Sequence, residues 1–480
     1  MNNKLAKNYI IFFTGTGLSA VAGLVSSIVY NWTFSPDVLG RYSLVNTSYL
    51  VLYAFLCGWL ASSFFRYYLE YKSSGQETNL FNVIFTLLLC INAIVVSLLF
   101  ILYRTIAGSD FLLMLFIFAF NILPRCLVDL FASKFKLDNT MKGYFIITVT
   151  NSFGTLAISL LLIFVAGLGI MSLVIAPVIV NLLVLMSLIL KYRSFFTFSF
   201  NKIILADFWQ YGGPLVITGL INVGLALSDR YLIRYFFTDK EVGLYSYAYD
   251  LSEKFFKIFV NVFILTIQTY LMQVWHENKD SYSLKVKSFT RYYYLAFIPL
   301  IFIVDTLLDF MFGVVLNKEY IDGRTFTLVV LFAMFFDGLI NLANRGFAVH
   351  KKTVYLRNVA FGAVAINLTL NVILMPVFGY KTAAYTTLAA YFAYVLLIYF
   401  YSIRKINWKW EFYDRVILTV LPYWAAAYIL MRLITQYPLK LALLAVFCVI
   451  YLFILPKDIK QLLLSYKNEA TKILSKRKQQ

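Results

Sequence analysis

The chain has 480 residues, of which 61% are hydrophobic and only 14% charged, whereas soluble domains carry about 25% charged residues. That composition excludes a soluble globular domain and places the chain in a bilayer. The formal net charge of +19 is dispersed over short segments between apolar blocks, so it does not form the basic face that nucleic acid binding requires.

Fourteen apolar blocks, each about as long as a hydrocarbon core is thick, follow one another along the chain. They cover 9–31, 40–65, 80–103, 111–132, 143–165, 168–190, 208–231, 242–274, 292–316, 326–349, 354–377, 383–401, 416–434 and 439–455. The predicted fold is an all-α integral membrane protein with short connections. A basic tail, 456–480, is expected on the cytoplasmic surface. Cys57, Cys90, Cys126 and Cys448 lie inside apolar blocks without CxxC spacing and read as packing residues, and no metal or other cofactor is indicated. With the N-terminus in the cytoplasm, the inner segments hold 28 of the 42 Lys and Arg residues and the outer segments 9. The positive-inside rule then predicts that both ends are cytoplasmic.

The chain repeats itself. Gly40-Arg41-Tyr42-Ser43 opens span two, and Gly243-Leu244-Tyr245-Ser246 opens span eight. Phe153 to Leu160 in span five reads FGTLAISL, and Phe361 to Leu368 in span eleven reads FGAVAINL. The two pairs share nearly one offset, which predicts a duplicated unit of six spans. An even number keeps both copies in one orientation, the parallel repeat of transporters that rock two halves about a central site. The expected units are 1–200 and 201–405, followed by two further spans in 406–455.

Charges inside the spans are costly and mark function or pairing. Span four carries Pro124, Arg125 and Asp129. Arg125 and Asp129 are one turn apart, so they either pair structurally or present a cation to a central cavity. In span seven, Gly212, Gly213 and Pro214 form a candidate hinge, and Asp229 with Arg230 a candidate gate or capping pair. Span eight carries Asp250, Glu253, Lys254 and Lys257 at i, i+3, i+4 and i+7, a single helical face continued by Ser246, Asn261 and Gln268. That stripe is either a cavity wall or two self-neutralising i, i+4 pairs. Under the cavity reading Lys254, Lys257, Arg125, Asp250, Glu253 and Asn261 bind substrate. Asp129, Asp305, Asp309 and Asp337 are candidate ion-coupling carboxylates, the last three without an obvious local partner. Arg345 reads as a snorkelling anchor.

No nucleotide-binding motif occurs, and His276 and His350, the two histidines, lie at the ends of spans. A pump driven by ATP and a membrane enzyme are both disfavoured on those grounds, and no catalytic residue is assigned. The layout of six, six and two spans, with Asp229-Arg230-Tyr231 closing span seven and Glu241 to Ser246 (EVGLYS) opening span eight, resembles the Wzx-type O-antigen and capsule flippases. These belong to the multidrug/oligosaccharidyl-lipid/polysaccharide (MOP) exporter superfamily. The resemblance implies a V-shaped pair of lobes, alternating access, and an undecaprenyl-diphosphate-linked oligosaccharide carried across the bacterial inner membrane. It also implies a polysaccharide polymerase and a chain-length regulator as partners. Related lipid II flippases use two extra C-terminal helices as a groove for the lipid tail. A cation-coupled multidrug exporter on the same fold is the nearest alternative.

Overall fold

The structure, a computed structural model, describes residues 3–454 apart from 107, 278, 351, 353, 407, 409 and 411. The tail and the side chains of Gln268 and His276 lie outside the described residues. The helices are α1 (Asn3–Thr33), α2 (Pro36–Ser73), α3 (Glu77–Thr105), α4 (Asp110–Ala119), α5 (Ile122–Leu137), α6 (Met141–Phe164), α7 (Met171–Lys191) and α8 (Lys202–Phe236). They continue with α9 (Asp239–Glu277), α10 (Lys279–Phe310), α11 (Thr327–Val349), α12 (Val354–Phe378), α13 (Thr382–Ile406), α14 (Ile417–Arg432) and α15 (Tyr437–Ile454). Each of the fourteen predicted spans corresponds to one helix, except the fourth, which is the bent pair α4 and α5. Nine described helices are long and apolar enough to cross a membrane, or ten with that pair taken as one span. The chain is a multi-pass membrane protein.

Local chemistry places the breaks. Pro124 lacks an N–H and cannot tolerate a straight helical turn before it, and α4 and α5 meet at 42°. Asn201 starts α8 by accepting from the backbone N–H groups of Ile203 (2.9 Å) and Ile204 (3.3 Å). Pro36 sits in the first turn of α2, where its missing donor costs nothing. By contrast α8 runs unbroken through Gly212, Gly213 and Pro214. A Cβ on Gly212 would lie 2.7 Å from the Trp59 carbonyl oxygen of α2, so the glycine at the position predicted as a hinge allows close helix packing in this structure.

The packing repeats as the sequence does. α1 packs on α6 as α8 packs on α12, α6 on α7 as α12 on α13, and α2 on α5 as α9 on α11. Equivalent residues of the FGxxAI repeat bond to the equivalent helix: Ser159 to Tyr30 of α1 (2.7 Å), and Asn367 to Ser228 of α8 (3.4 Å). Two buried cores result, one mainly from α2–α7 and the other mainly from α8–α15. At the near end, where α1 begins, Tyr68, Lys72 and Lys134 converge on Asp138 in the α5–α6 turn. Burial pushes the Asp138 carboxyl up, but the hydrogen bonds from Lys134, Lys72 and Tyr68 outweigh it and hold the group below the usual carboxylate range.

At the far end the two copies of Gly-x-Tyr-Ser meet each other. A Cβ on Gly40 would lie 1.8 Å from the Asp239 carbonyl oxygen, and one on Gly243 would lie 1.7 Å from that of Pro36. Only glycine lets the backbones approach so closely. One turn further in, Ser43 donates to Ser246 across the same contact at 2.8 Å. Tyr320 donates to the Phe34 carbonyl at 2.8 Å, and the Asn317 N–H to Asn31 at 2.7 Å, extending the seal. We expect the Ser43→Cys/Ser246→Cys pair to cross-link readily under mild oxidation. Adding Gly243→Val should abolish that cross-link, and equal cross-linking with valine present would refute the contact.

Candidate functional site

Just inside this seal lies a cavity of about 510 Å³. α1, α2, α5, α6 and α7 supply one wall, and α8 and α9 the other. The first wall is rich in neutral polar groups, among them Ser26, Asn46, Asn121, Asn151, Ser152 and Thr155. Charge enters from three elements: Arg125 of α5, Arg230 of α8, and Asp250 with Lys254 of α9.

These charges differ in how they are matched. Arg230 is buried and bonds Asp250 at 2.5 Å while donating to Thr47 of α2 at 3.2 Å. It ties the two bundles together beside the seal. Arg125 lies over the rings of Tyr53 (4.6 Å) and Tyr49 (5.5 Å), and Asp129 approaches it only to 3.9 Å while accepting from the Tyr53 hydroxyl at 2.6 Å. Lys254 faces the cavity, donates to Ser27 of α1 at 2.6 Å, and forms no ion pair among the described residues. Lys254 is thus without an ion pair among the described residues, although Asp250 lines the cavity one turn away, and Arg125 keeps a loose pair with Asp129.

The predicted single stripe on α9 is divided. Asp250 and Lys254 face the cavity, whereas Lys257 pairs with Glu253 (2.7 Å) and with Asp337 of α11 (3.3 Å). Lys257 and Glu253 do not line the cavity, which corrects their predicted place beside Lys254. The reason is angular: four residues at i, i+3, i+4 and i+7 spread over about 100° of helix surface, enough to reach both neighbours. Asn261 lines a separate pocket nearer the other end, with Arg345.

The carboxylates predicted to lack partners have them. Asp305 accepts from Thr327 (2.6 Å), Tyr428 (2.5 Å) and Arg432 (3.1 Å). Asp309 binds Arg432 (2.9 Å), Lys440 (2.9 Å) and Arg324. These two clamp α14 and α15 onto α10, and Asp337 pairs with Lys257, which it shares with Glu253. None of the three is arranged as a free coupling group. Asp229 was expected beside Arg230 as a cap. Instead it turns into the second bundle, fully buried, and accepts from Thr387 (2.6 Å), Tyr245 (2.7 Å) and Asn371 (2.7 Å). Asn367 completes the surrounding through Asn371 (3.3 Å) and Thr387 (3.2 Å). Asp229 is thus a carboxylate held only by neutral donors among the described residues. Sequence reasoning missed the cage because its members come from four helices; the asparagines of α12, a turn apart at 367 and 371, were the one local signal.

The family described as polysaccharide biosynthesis protein matches residues 71–323, more than half of the chain. The chain belongs to that family. Among solved structures, the family's fold is shared with the lipid II flippase MurJ in an inward closed conformation, at 16% identity, covering 94% of this chain and 99% of that one, with a TM-score of 0.73. An inward-facing multidrug resistance MATE family transporter of the MOP superfamily follows at 12% identity, 82% and 94% coverage, and TM-score 0.63. A Vibrio cholerae MATE transporter, VcmN, matches at 13% identity, 85% and 98% coverage, and TM-score 0.58. No curated protein matches the chain. At these identities the likeness establishes a shared fold, that of MOP-superfamily transporters.

The clamp on α14 and α15 yields a stability test. Asp309→Asn leaves Lys440 and Arg324 without this carboxylate and Arg432 with Asp305 alone, which should cost about 3–5 kcal/mol and expose the C-terminal helices to protease. The exposed Asp37–Arg41 pair (3.4 Å) is the control, and Asp37→Asn should change stability by under about 1 kcal/mol. Thermal unfolding of the two variants decides whether the cluster holds these helices.

Proposed function

We propose that this protein carries an oligosaccharide, linked through a diphosphate to a long isoprenoid lipid such as undecaprenol, from the cytoplasmic to the outer leaflet of the bacterial inner membrane. In this reading both termini are cytoplasmic, so the near end faces inward and the far-end seal faces outward. The lobes divide near residues 200 and 405. The observation that carries the proposal is the cavity itself, in which Lys254, without an ion pair among the described residues, and Arg125, only loosely paired with Asp129, stand among amide and hydroxyl groups while Asp250 is held by Arg230.

Each part of that cavity has a use. A diphosphate desolvated in the membrane needs cations that are not already neutralised, and arginine can offer it paired donors. Sugar hydroxyls need neutral donors and acceptors, which the α1, α2, α5 and α6 wall supplies. The isoprenoid tail stays in lipid. Alternating access then requires the Gly40–Gly243 contact and the Arg230–Asp250–Thr47 bridge to open while the near end closes. Membership of the polysaccharide biosynthesis family supports this substrate class over a drug. A cationic drug would meet repulsion from Arg125 and Lys254. In this reading the protein acts as a transporter, delivering its cargo to the polymerase and chain-length regulator of the outer leaflet.

Energy coupling is assigned to Asp229, in place of Asp129, Asp305, Asp309 and Asp337. The ion-pair geometry supports the change: a carboxylate balanced only by neutral donors can take up a proton or a monovalent cation, whereas one bound to arginine and lysine cannot readily do so. Asp229 also touches α9, α12 and α13, so its charge state bears on the packing of the whole second bundle.

Two outcomes test the reading. Arg125→Gln with Lys254→Gln should keep the protein in the membrane, reduce translocation of the lipid-linked oligosaccharide at least about a hundredfold, and trap it on the cytoplasmic face. Lys257→Gln should instead lower stability, since it strands Glu253 and Asp337. Unimpaired transport in the double variant would remove the site. Separately, Asp229→Asn should leave binding intact but make transport in vesicles indifferent to an imposed proton or sodium gradient, and retained gradient dependence would reject Asp229 as the coupling group.

A further inference from the structure

A second pocket of about 350 Å³ lies toward the near end, between α1 and α6 of one bundle and α9 and α11 of the other. Its polar lining is Arg345, Asn341, Asn261 and Thr16, and its apolar side includes Phe12 and Ile264. No carboxylate lines it. Arg345 forms no ion pair among the described residues, and its Nε is buried without a hydrogen-bond partner. A buried donor nitrogen left unused costs free energy unless something else fills it. What fits is an anion, because the lining offers a full positive charge and amide groups. What fits beside it is an alkyl or prenyl chain, because one side is apolar.

Its position gives the pocket a role. Asn261 is seven residues beyond Lys254 on α9, so the pocket lies about 10 Å along the helix from the cavity cations, toward the near end. We propose that the Arg345 pocket is a second phosphate subsite, holding the phosphate headgroup of a lipid on the cytoplasmic side of the Arg125–Lys254 cavity. The role in loading substrate rests on the transport reading above; the anion site itself stands on Arg345 alone. A lipid phosphate held first at Arg345 and then at Lys254 would cross the intervening membrane depth without a fully unmatched step.

The test uses the full-length protein in nanodiscs of phosphatidylcholine, with farnesyl diphosphate as probe and bound equivalents counted by native mass spectrometry. The wild type should take two equivalents. Arg345→Gln should lose one of them, with that site weakened at least about tenfold, and Arg345→Lys should retain it. Arg125→Gln with Lys254→Gln should lose the other. A parallel series with phosphatidylglycerol in the disc identifies the source. Loss of a bound phosphatidylglycerol in Arg345→Gln, without loss of farnesyl diphosphate, assigns the pocket to bilayer phospholipid; the reverse assigns it to the isoprenoid substrate. If Arg345→Gln binds both probes as the wild type does, the proposal is overturned. If the cavity double variant keeps both equivalents while Arg345→Gln loses one, the cavity reading fails and the Arg345 site stands.

Discussion

A charge inside a bilayer must be matched, and the way this protein matches its charges organises the rest of the structure. Asp309 gathers Arg324, Arg432 and Lys440, Asp305 shares Arg432, and together they fasten α14 and α15 to the second bundle. Lys257 joins α9 to α11 through Glu253 and Asp337. Arg230 joins α8, α9 and α2. Once these pairs are set aside, Lys254 and Arg345 have no ion pair and Asp229 has no cationic partner among the described residues, while Arg125 keeps only a loose pair with Asp129. Function is assigned to what pairing leaves over, because a neutralised pair gives a ligand little to bind.

The second constraint is steric. The Gly40–Gly243 approach puts two helix starts in backbone contact, and Ser43–Ser246 adds a hydrogen bond behind it. A seal built from small residues and a few hydrogen bonds holds well when closed, yet buries little apolar area, so its opening is not prohibitively costly. The Arg230 bridge beside it is polar as well. Both suit a contact that opens and closes, as the proposed alternating access requires. The Asp305–Asp309 clamp has the opposite character, with several charge-assisted bonds in a buried setting, and suits a contact that persists.

Periodicity and repetition were legible in the chain because they are local or self-referential. Apolar block length set the spans, Pro124 marked the bend, and the Gly-x-Tyr-Ser and FGxxAI pairs revealed the duplication. Even the repeat held more than it disclosed: the two Gly-x-Tyr-Ser copies are each other's packing partners. Arg324, Arg432 and Lys440 lie beyond the ends of the predicted apolar blocks or at their edges, where a helix-by-helix reading does not connect them with Asp305 and Asp309. Their side chains fold back to neutralise Asp305 and Asp309, which appear isolated when each helix is read alone.

The sequence by itself determined that this is a membrane protein of helices, with repeated motifs and with charges embedded in spans four and seven to ten, most densely in span eight. Those facts follow from hydropathy, spacing and identity along one dimension. Tertiary structure decided which side of each helix meets which neighbour. It divided the α9 stripe so that Lys254 enters the cavity while Lys257 is spent on Asp337, and it caged Asp229 with groups from α9, α12 and α13. Pairing is a matter of a few ångströms between side chains far apart in sequence, and only the packed bundle sets those distances.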